Sequence, residues 1–430
     1  MRLLCASNLH LGRATYGTPG RLGLDPARLS MTAAWDALVD LARAESVDAV
    51  LIAGDLIDRE NRRFEPLGPI ERGLTALSRD GIPVIAVAGD EDVDALRALV
   101  TDAPEGSFRV LGRDGAWETA EIANNGETVT VAGWSAPGRA IGGSPVADLD
   151  LDADVVLLHG TPDGQGRGFA PIPAGAVANS PARLWIAGAP MVPSKEELDG
   201  ATLLAPGSIA ALSPVDVGPR GAWVVDVGDA VDARQVPLAA IRFDHVDVDL
   251  TGANDNAEIE TRVIGALHET LDRAVEQDVA SHLAAVCAHL TLYGRTGAYS
   301  ALPGQLDEIA RAVDLQRDGV VLAITSTTNR TEPDVDLGPL LERADPVGET
   351  ARIIRSLDAP SIDAMPAPYA ELLRRTATRL DGVHRSRVFA AVSSDPEPDL
   401  DAARELVRRE AWATLDALIR QRGIDTEGAA

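Results

Sequence analysis

Four short apolar runs in this chain end the same way, in a polar or acidic residue beside a glycine or a histidine. RLLCAS (2–7) runs into Asn8-Leu9-His10, DAVLIAGD (48–55) closes on Gly54-Asp55, PVIAVAGD (83–90) on Gly89-Asp90-Glu91-Asp92, and ADVVLLHG (153–160) on His159-Gly160. The runs are apolar throughout instead of alternating, so both faces of each strand must be buried. MTAAWDALVDLARAES (31–46) has apolar residues at helical spacing between the first two runs, and a second helical stretch precedes the third. Such β-α-β alternation places helices outside a largely parallel sheet. From residue 107 the rhythm changes. SFRVLG, ETVTVAGW, ADVVLLHG, RLWIAG, ATLLAPGS and GAWVVDV are short strands with turns between them and few helices. A mixed-sheet sandwich fits this better than a simple doubly wound sheet.

At 430 residues the chain exceeds one ordinary domain. It restarts around VPLAAIRFDHVDVDL (236–250), followed by a helix (NAEIETRVIGALHETLDRAVEQ), a strand (AAVCAHLTLYG), and a further helix and strand. TTNRTEPDVDLGP (327–339) reads as a connector, and helical segments follow it. The expected organisation is a first domain over 1–235, an α+β domain over 236–335 and a helical region over 336–430. In the last helix Leu406, Trp412, Leu415, Ala417 and Ile419 supply one apolar face.

Hydrophobic content of 45% with 24% charged residues is that of a soluble chain with a sizeable core. No apolar run approaches the ~20 residues that span a bilayer, and the N-terminus turns polar too soon for a secretory signal. Cys5 and Cys287 lie in apolar surroundings, which suggests buried thiols in a reducing, cytoplasmic compartment. The net charge of −27 argues against a nucleic-acid partner, since phosphate affinity rests on clustered Lys and Arg. Basic spots remain at Arg59, Arg62 and Arg63 and between Arg374 and Arg387, where solvated surface charge is the plain reading. Ser-His-Asp spacing, a Walker-type Gly-Lys-Ser/Thr and a CxxC pair are all missing.

In an open α/β sheet, ligands collect just past the carboxyl ends of strands, so the four endings would converge. Carboxylates with imidazoles suit Mn, Fe or Zn, not an all-thiolate site. In this order and spacing the set resembles the calcineurin-like metallophosphoesterase superfamily, whose signature runs Asp-x-His, Gly-Asp, Gly-Asn-His-Asp/Glu, His, then Gly-His-x-His. It is most similar to the SbcD-type and YhaO-like DNA repair nuclease subunits. HLGR after the first motif, LAPGSIAALS (204–213) before a strand, and LTLYGRT in the second domain carry that likeness. The resemblance implies a four-layer α-β-β-α sandwich with a smaller α+β capping domain and C-terminal helices. It also implies a centre for Mn2+ or another divalent metal, DNA as substrate, an SbcC-like SMC-type ATPase held by the C-terminal helices, and a homodimer. Tyr16 and Arg13 beside the first turn are candidate phosphate contacts.

The motifs are incomplete. The first aspartate is Asn8, its histidine is His10, the bridging aspartate is Asp55, and the lone histidine is His159. The asparagine ligand has become Asp90 and the family's catalytic histidine Glu91. LWIAGAPMVP replaces Gly-His-x-His, so Ala189 and Met191 stand where two ligand histidines belong. Two metals sharing one aspartate activate water and polarise the phosphate. With each position short of an imidazole, one metal or none is expected instead of two, grouped on Asp55, Asp90 and His159. Glu196, Glu197 and Asp199 follow the lost motif and are candidate substitute ligands, with solvated acids as the plainer reading. The implied function is a repair-nuclease-family subunit whose phosphodiesterase centre is weak or inactive and which serves as a scaffold or regulator. The alternatives are a Mn-dependent exo/endonuclease with a rebuilt site and a small-molecule phosphoesterase.

Overall fold

Strand residues that are apolar at every position need cover on both faces, and the chain supplies it with two stacked sheets and outer helices. The computed structural model describes residues 1–13, 22–60, 66–96, 106–138, 143–146, 152–163, 169–278, 282–313, 315–386 and 399–422. The chain divides into two compact units. The first comprises Met1–His245, Leu267–His289 and Val313–Thr325, and the second Val246–Ala266, Leu290–Ala312 and Ser326–Ala430.

In the first unit, β1 (Arg2–Ala6), β2 (Ala49–Ala53), β3 (Val84–Val87) and β4 (Phe108–Val110) pair in parallel. Two antiparallel strands, β11 (Gly221–Val227) and β12 (Val231–Pro237), extend this sheet beyond β1, giving the order β12-β11-β1-β2-β3-β4. The second sheet has the order β5-β6-β7-β8-β10-β9. Its parallel centre is β6 (Glu127–Trp134), β7 (Val155–Leu158), β8 (Leu184–Ala187) and β10 (Ala201–Ala205). Antiparallel β5 (Glu118–Asn124) and β9 (Ser194–Leu198) form its edges.

Alternate residues divide between two cores. Leu3, Cys5, Leu51, Ala53, Ile85 and Val87 share one buried cluster with Val131, Val155, Leu157, Leu184, Ile186 and Leu204, and this is the layer between the sheets. Their chain neighbours Leu4, Val50, Ile52 and Ala86 face the other way, into a cluster with α1 (Met31–Ala44) and α2 (Leu67–Arg79), which contribute Trp35, Leu38, Ile70 and Leu74. Val156, Leu158, Trp185 and Ala187 likewise face outward, with Ile172 and, from α3 (Ala174–Ala178), Val177 in their cluster. The protein is thus an α-β-β-α sandwich of the kind expected.

A four-stranded sheet follows, ordered β13-β14-β16-β15, from β13 (Ile241–Asp249), β14 (Ala285–Thr296), β15 (Leu315–Arg317) and β16 (Val320–Pro333). The helices α4 (Asn256–Gln277) and α5 (Leu302–Ala312) lie between these strands in sequence. In the second unit, α6 (Gly338–Leu341), α7 (Pro346–Ser356), α8 (Ala367–His384) and α9 (Leu400–Arg422) complete the described chain. Trp412, Leu415 and Ile419 of α9 are buried with Val347, Ala351 and Ile354 of α7. The apolar face read from the sequence therefore packs within its own unit, while Leu406 is half-buried and Ala417 exposed. Among the described residues no helix is long and apolar enough to cross a membrane.

Candidate metal centre

The turns that follow β1 and β2 hold unusual backbone. Asn8, His10 and Asp55 have φ of 50°, 42° and 54°. Asn and Asp tolerate the left-handed region, but for His10 it costs on the order of 1 kcal/mol, so the neighbouring structure must impose it. The imposing contacts are a continued parallel ladder past the strand ends. The amides of Asn8, His10 and Leu11 donate to the carbonyls of Gly54, Asp55 and Leu56 at 3.2, 2.9 and 2.9 Å.

The turn after β3 is tied to the same place. Asp92 is fully buried and accepts from the Gly89 amide at 2.8 Å and the Leu56 amide at 2.7 Å. Burial, reinforced by Asp55, pushes its carboxyl up to about 7. The Glu91 amide donates to Asp55 Oδ1 at 3.1 Å. Asp92, which the sequence offers as part of a motif, is therefore the strut that sets Asp90 and Glu91 beside Asp55.

From the other sheet, β7 delivers His159. Its Nδ1 donates to the Ala53 carbonyl at 2.8 Å, which leaves Nε2 facing Asp90 Oδ1 at 3.3 Å and Asp55 Oδ2 at 3.5 Å. A carbonyl on one ring nitrogen fixes the tautomer that offers the other to a cation. Ligand atoms of Asp55, Asp90 and His159 all lie within 4.8 Å of one another. Burial works to lower the His159 pKa, but Asp55 and the hydrogen bond that His159 donates to Asp90 overcome it and raise it to about 9. The same hydrogen bond from His159 holds Asp90 below the usual carboxylate range. Two carboxylates here are thus balanced by a proton where a divalent ion would serve as well.

His10 lines the same cleft, 5% exposed, and its Nδ1 has no hydrogen-bond partner among the described residues. Burial pushes its pKa down, so it is a neutral imidazole with an unsatisfied ring nitrogen. Asn8 behaves otherwise. Its Nδ2 donates to the carbonyls of Gly188 at 2.7 Å and Pro190 at 3.0 Å, and to Ser7 Oγ at 3.3 Å. Ala189 and Met191 line the cleft, and the Met191 side chain is half-buried against the main core.

The cleft has a volume of about 660 Å³, and Arg13 stands on its wall. Tyr16, Arg62 and Arg63 lie outside the described residues. Glu91 is half-buried, 3.5 Å from Arg59, and burial pushes its carboxyl up. Glu196, Glu197 and Asp199 do not reach the cleft. They are exposed on or beside edge strand β9, where Glu197 pairs with Lys195 at 3.3 Å. The sequence reading overlooked Asp216, which lines the cleft while accepting from the amides of Leu212 and Ser213 at 3.0 and 2.9 Å. Its only sequence signal is its place just after LAPGSIAALS.

Tested against a divalent ion, the Asp55–Asp90–His159 cluster fits, with two hard oxygen donors and one imidazole aimed at one point. The second position of a paired centre is short of ligands: His10 is in place beside Asp55, but the two family histidines are replaced by a methyl group and a half-buried thioether, and the Asn8 N–H groups are engaged with the loop.

No family model matches the chain. Among known proteins it is 26% identical to the DNA double-strand break repair protein Mre11 of Haloferax volcanii over 423 residues, 94% of this chain and 85% of that one. Over most of its length the chain is thus similar to metallophosphoesterases of the SbcD and Mre11 type. The Mre11 protein of Aeropyrum pernix is 31% identical over 96 residues, and that match spans only 22% of either chain. The metallophosphoesterase YhaO of Bacillus subtilis is 23% identical over 322 residues, 72% of this chain and 76% of its own.

Proposed function

We propose that this SbcD/Mre11-type subunit holds one divalent metal, Mn2+ or a similar ion, and is weak or inactive as a phosphodiesterase. It would act as a scaffold or regulatory partner of an SMC-type ATPase. The carrying observation is the asymmetry of the cleft, with three donors converging on one side and, beside the shared Asp55, only the unpartnered ring nitrogen of His10 on the other. A bound metal would polarise a phosphate oxygen and lower the pKa of a water molecule. Asp55 and Asp90 would supply charge, and His159, held by the Ala53 carbonyl, its Nε2. Arg13 on the cleft wall would meet the phosphate. Glu91, at the position of the family's catalytic histidine, brings negative charge toward a phosphodiester instead of an imidazole that protonates a leaving oxygen. Dimerisation and engagement of the ATPase by the second unit belong to the same proposal.

The deciding experiment is elemental analysis of the full chain after equilibration with Mn2+, with cleavage of DNA ends measured on the same sample. One ion per chain, lost in Asp55→Ala, with little or no cleavage, is expected. Two ions per chain with metal-stimulated cleavage would overturn the reading. An active enzyme with a rebuilt site is the second reading, and the place of Glu91 in the cleft beside Asp55 favours it, because a carboxylate there can serve as a general base. In that case Glu91→Gln would cut cleavage at least ~100-fold while the metal stays bound.

A further inference from the structure

We propose that the emptied metal position has become a hydrogen-bonded clamp, in which Asn8 is a positioning residue for the 188–193 loop and not a ligand. The inference rests on the one-metal reading above and goes beyond it, because it says what holds the loop in the absence of a second ion. The Gly188 and Pro190 carbonyls can only accept, and they lie 2.7 and 3.0 Å from Asn8 Nδ2. The nitrogen of the amide, not its oxygen, must therefore face them. A carboxylate at this position would set a third acceptor against two carbonyls inside a buried site, Asn8 being 1% exposed.

A second group completes the clamp at the next carbonyl of the loop. Arg220 is 1% exposed, and its Nη1 donates to the Met191 carbonyl and, at 3.3 Å, to Ser208 Oγ. Its Nη2 donates to the Val217 carbonyl at 3.0 Å. The Ser208 amide also donates to the Met191 carbonyl, at 3.0 Å. The carbonyls of residues 188, 190 and 191 are thus each bound by a protein donor. A fixed guanidinium charge on the Met191 carbonyl further opposes a divalent ion beside it. Loss of the two histidines and gain of the amide are, on this account, one change. An isolated return to aspartate would remove both hydrogen bonds to the loop, and the one to Ser7, without restoring the missing imidazoles.

The test compares the full-length chain with Asn8→Ala and Asn8→Asp, using Mn2+ stoichiometry, thermal unfolding and hydrogen exchange. Both variants are expected to lose roughly 4 °C or more of unfolding midpoint. Exchange at the amides of Gly188, Ala189 and Ser208 should rise about tenfold, with β1 and β2 unchanged. Mn2+ stoichiometry in Asn8→Asp should not exceed that of the parent. If Asn8→Asp gains a second ion while the parent holds one, the clamp is refuted and the one-metal reading stands. Two ions in the parent would sink both. Uniformly faster exchange across the first unit in Asn8→Ala would reduce the residue to general packing and also refute the proposal.

Discussion

The placement of His159 depends on an absent side chain. A Cβ on Gly188 would overlap the Ala53 carbonyl oxygen, the same atom that accepts from His159 Nδ1. Only glycine at 188 lets the end of β8 approach β2 closely enough for that carbonyl to stay aimed at the imidazole. Gly188→Ala must shift backbone, because the atom it meets cannot rotate away. We expect it to cost about 2–4 kcal/mol, in the range of overpacked core sites. Mn2+ affinity should fall about tenfold or more, as when the partner that orients a ligating histidine is lost. Isothermal titration beside urea unfolding would check both. Full-strength Mn2+ binding in a stable Gly188→Ala protein would show that the Ala53 carbonyl does not orient His159. Gly54 makes a related demand. Its φ is 92°, and a Cβ there would sit 2.5 Å from His159 Nδ1.

Among elements, the fit of α1 to α2 turns on Gly73. A methyl group there would overlap the Trp35 indole, whose Nε1 donates to the Pro69 carbonyl at 3.1 Å. Alanine in a helix interior is worth about 0.5–1 kcal/mol over glycine, whereas a clash with a fully buried ring costs about 1–3 kcal/mol. The clash should win, so Gly73→Ala is expected to destabilise by ~1–2 kcal/mol in denaturant unfolding. A gain in stability would mean the indole can move aside. Helices of this kind were legible in the sequence, since apolar spacing gave α1 to within two residues and α4 at its exact bounds. The central strands were legible too, because burial on both faces leaves an unbroken apolar run. The edge strands β5 and β9 were not, although edge strand β4 lies within SFRVLG. The burial of β5 alternates, with Ala120 and Ile122 inward and Glu118, Thr119 and Glu121 outward, and β9 reads SKEEL with no apolar face. Their pairing is dictated by a neighbour rather than by their own side chains. Within the site, the motif residues could be read directly, but Asp216 and Arg220 could not. Both act through loop carbonyls and amides that no local pattern announces.

At the scale of the molecule, every residue of the candidate centre belongs to the first unit, and the second unit builds a core of its own. Trp412 is central to that core. It is 2% exposed among Val335, Leu340, Val347, Ile354 and Leu415, with the Arg295 guanidinium carbon 6.0 Å from its ring centroid. Truncating a tryptophan so buried costs about 3–5 kcal/mol. Deleting 400–422 would therefore remove half of a core as well as any docking surface, and loss of a partner in that variant would report unfolding. Trp412→Ala separates the cases. We expect its second unit to lose helical signal at lower denaturant, by the ~3–5 kcal/mol above, while Mn2+ binding at Asp55, Asp90 and His159 keeps its parental affinity. Leu406, half-buried in the groove between β16 and α9, is the better probe of a docked ATPase, because Leu406→Glu disturbs that surface and leaves the buried face of α9 intact. Weakened Mn2+ binding in Trp412→Ala would overturn the claim that the metal centre is complete within the first unit.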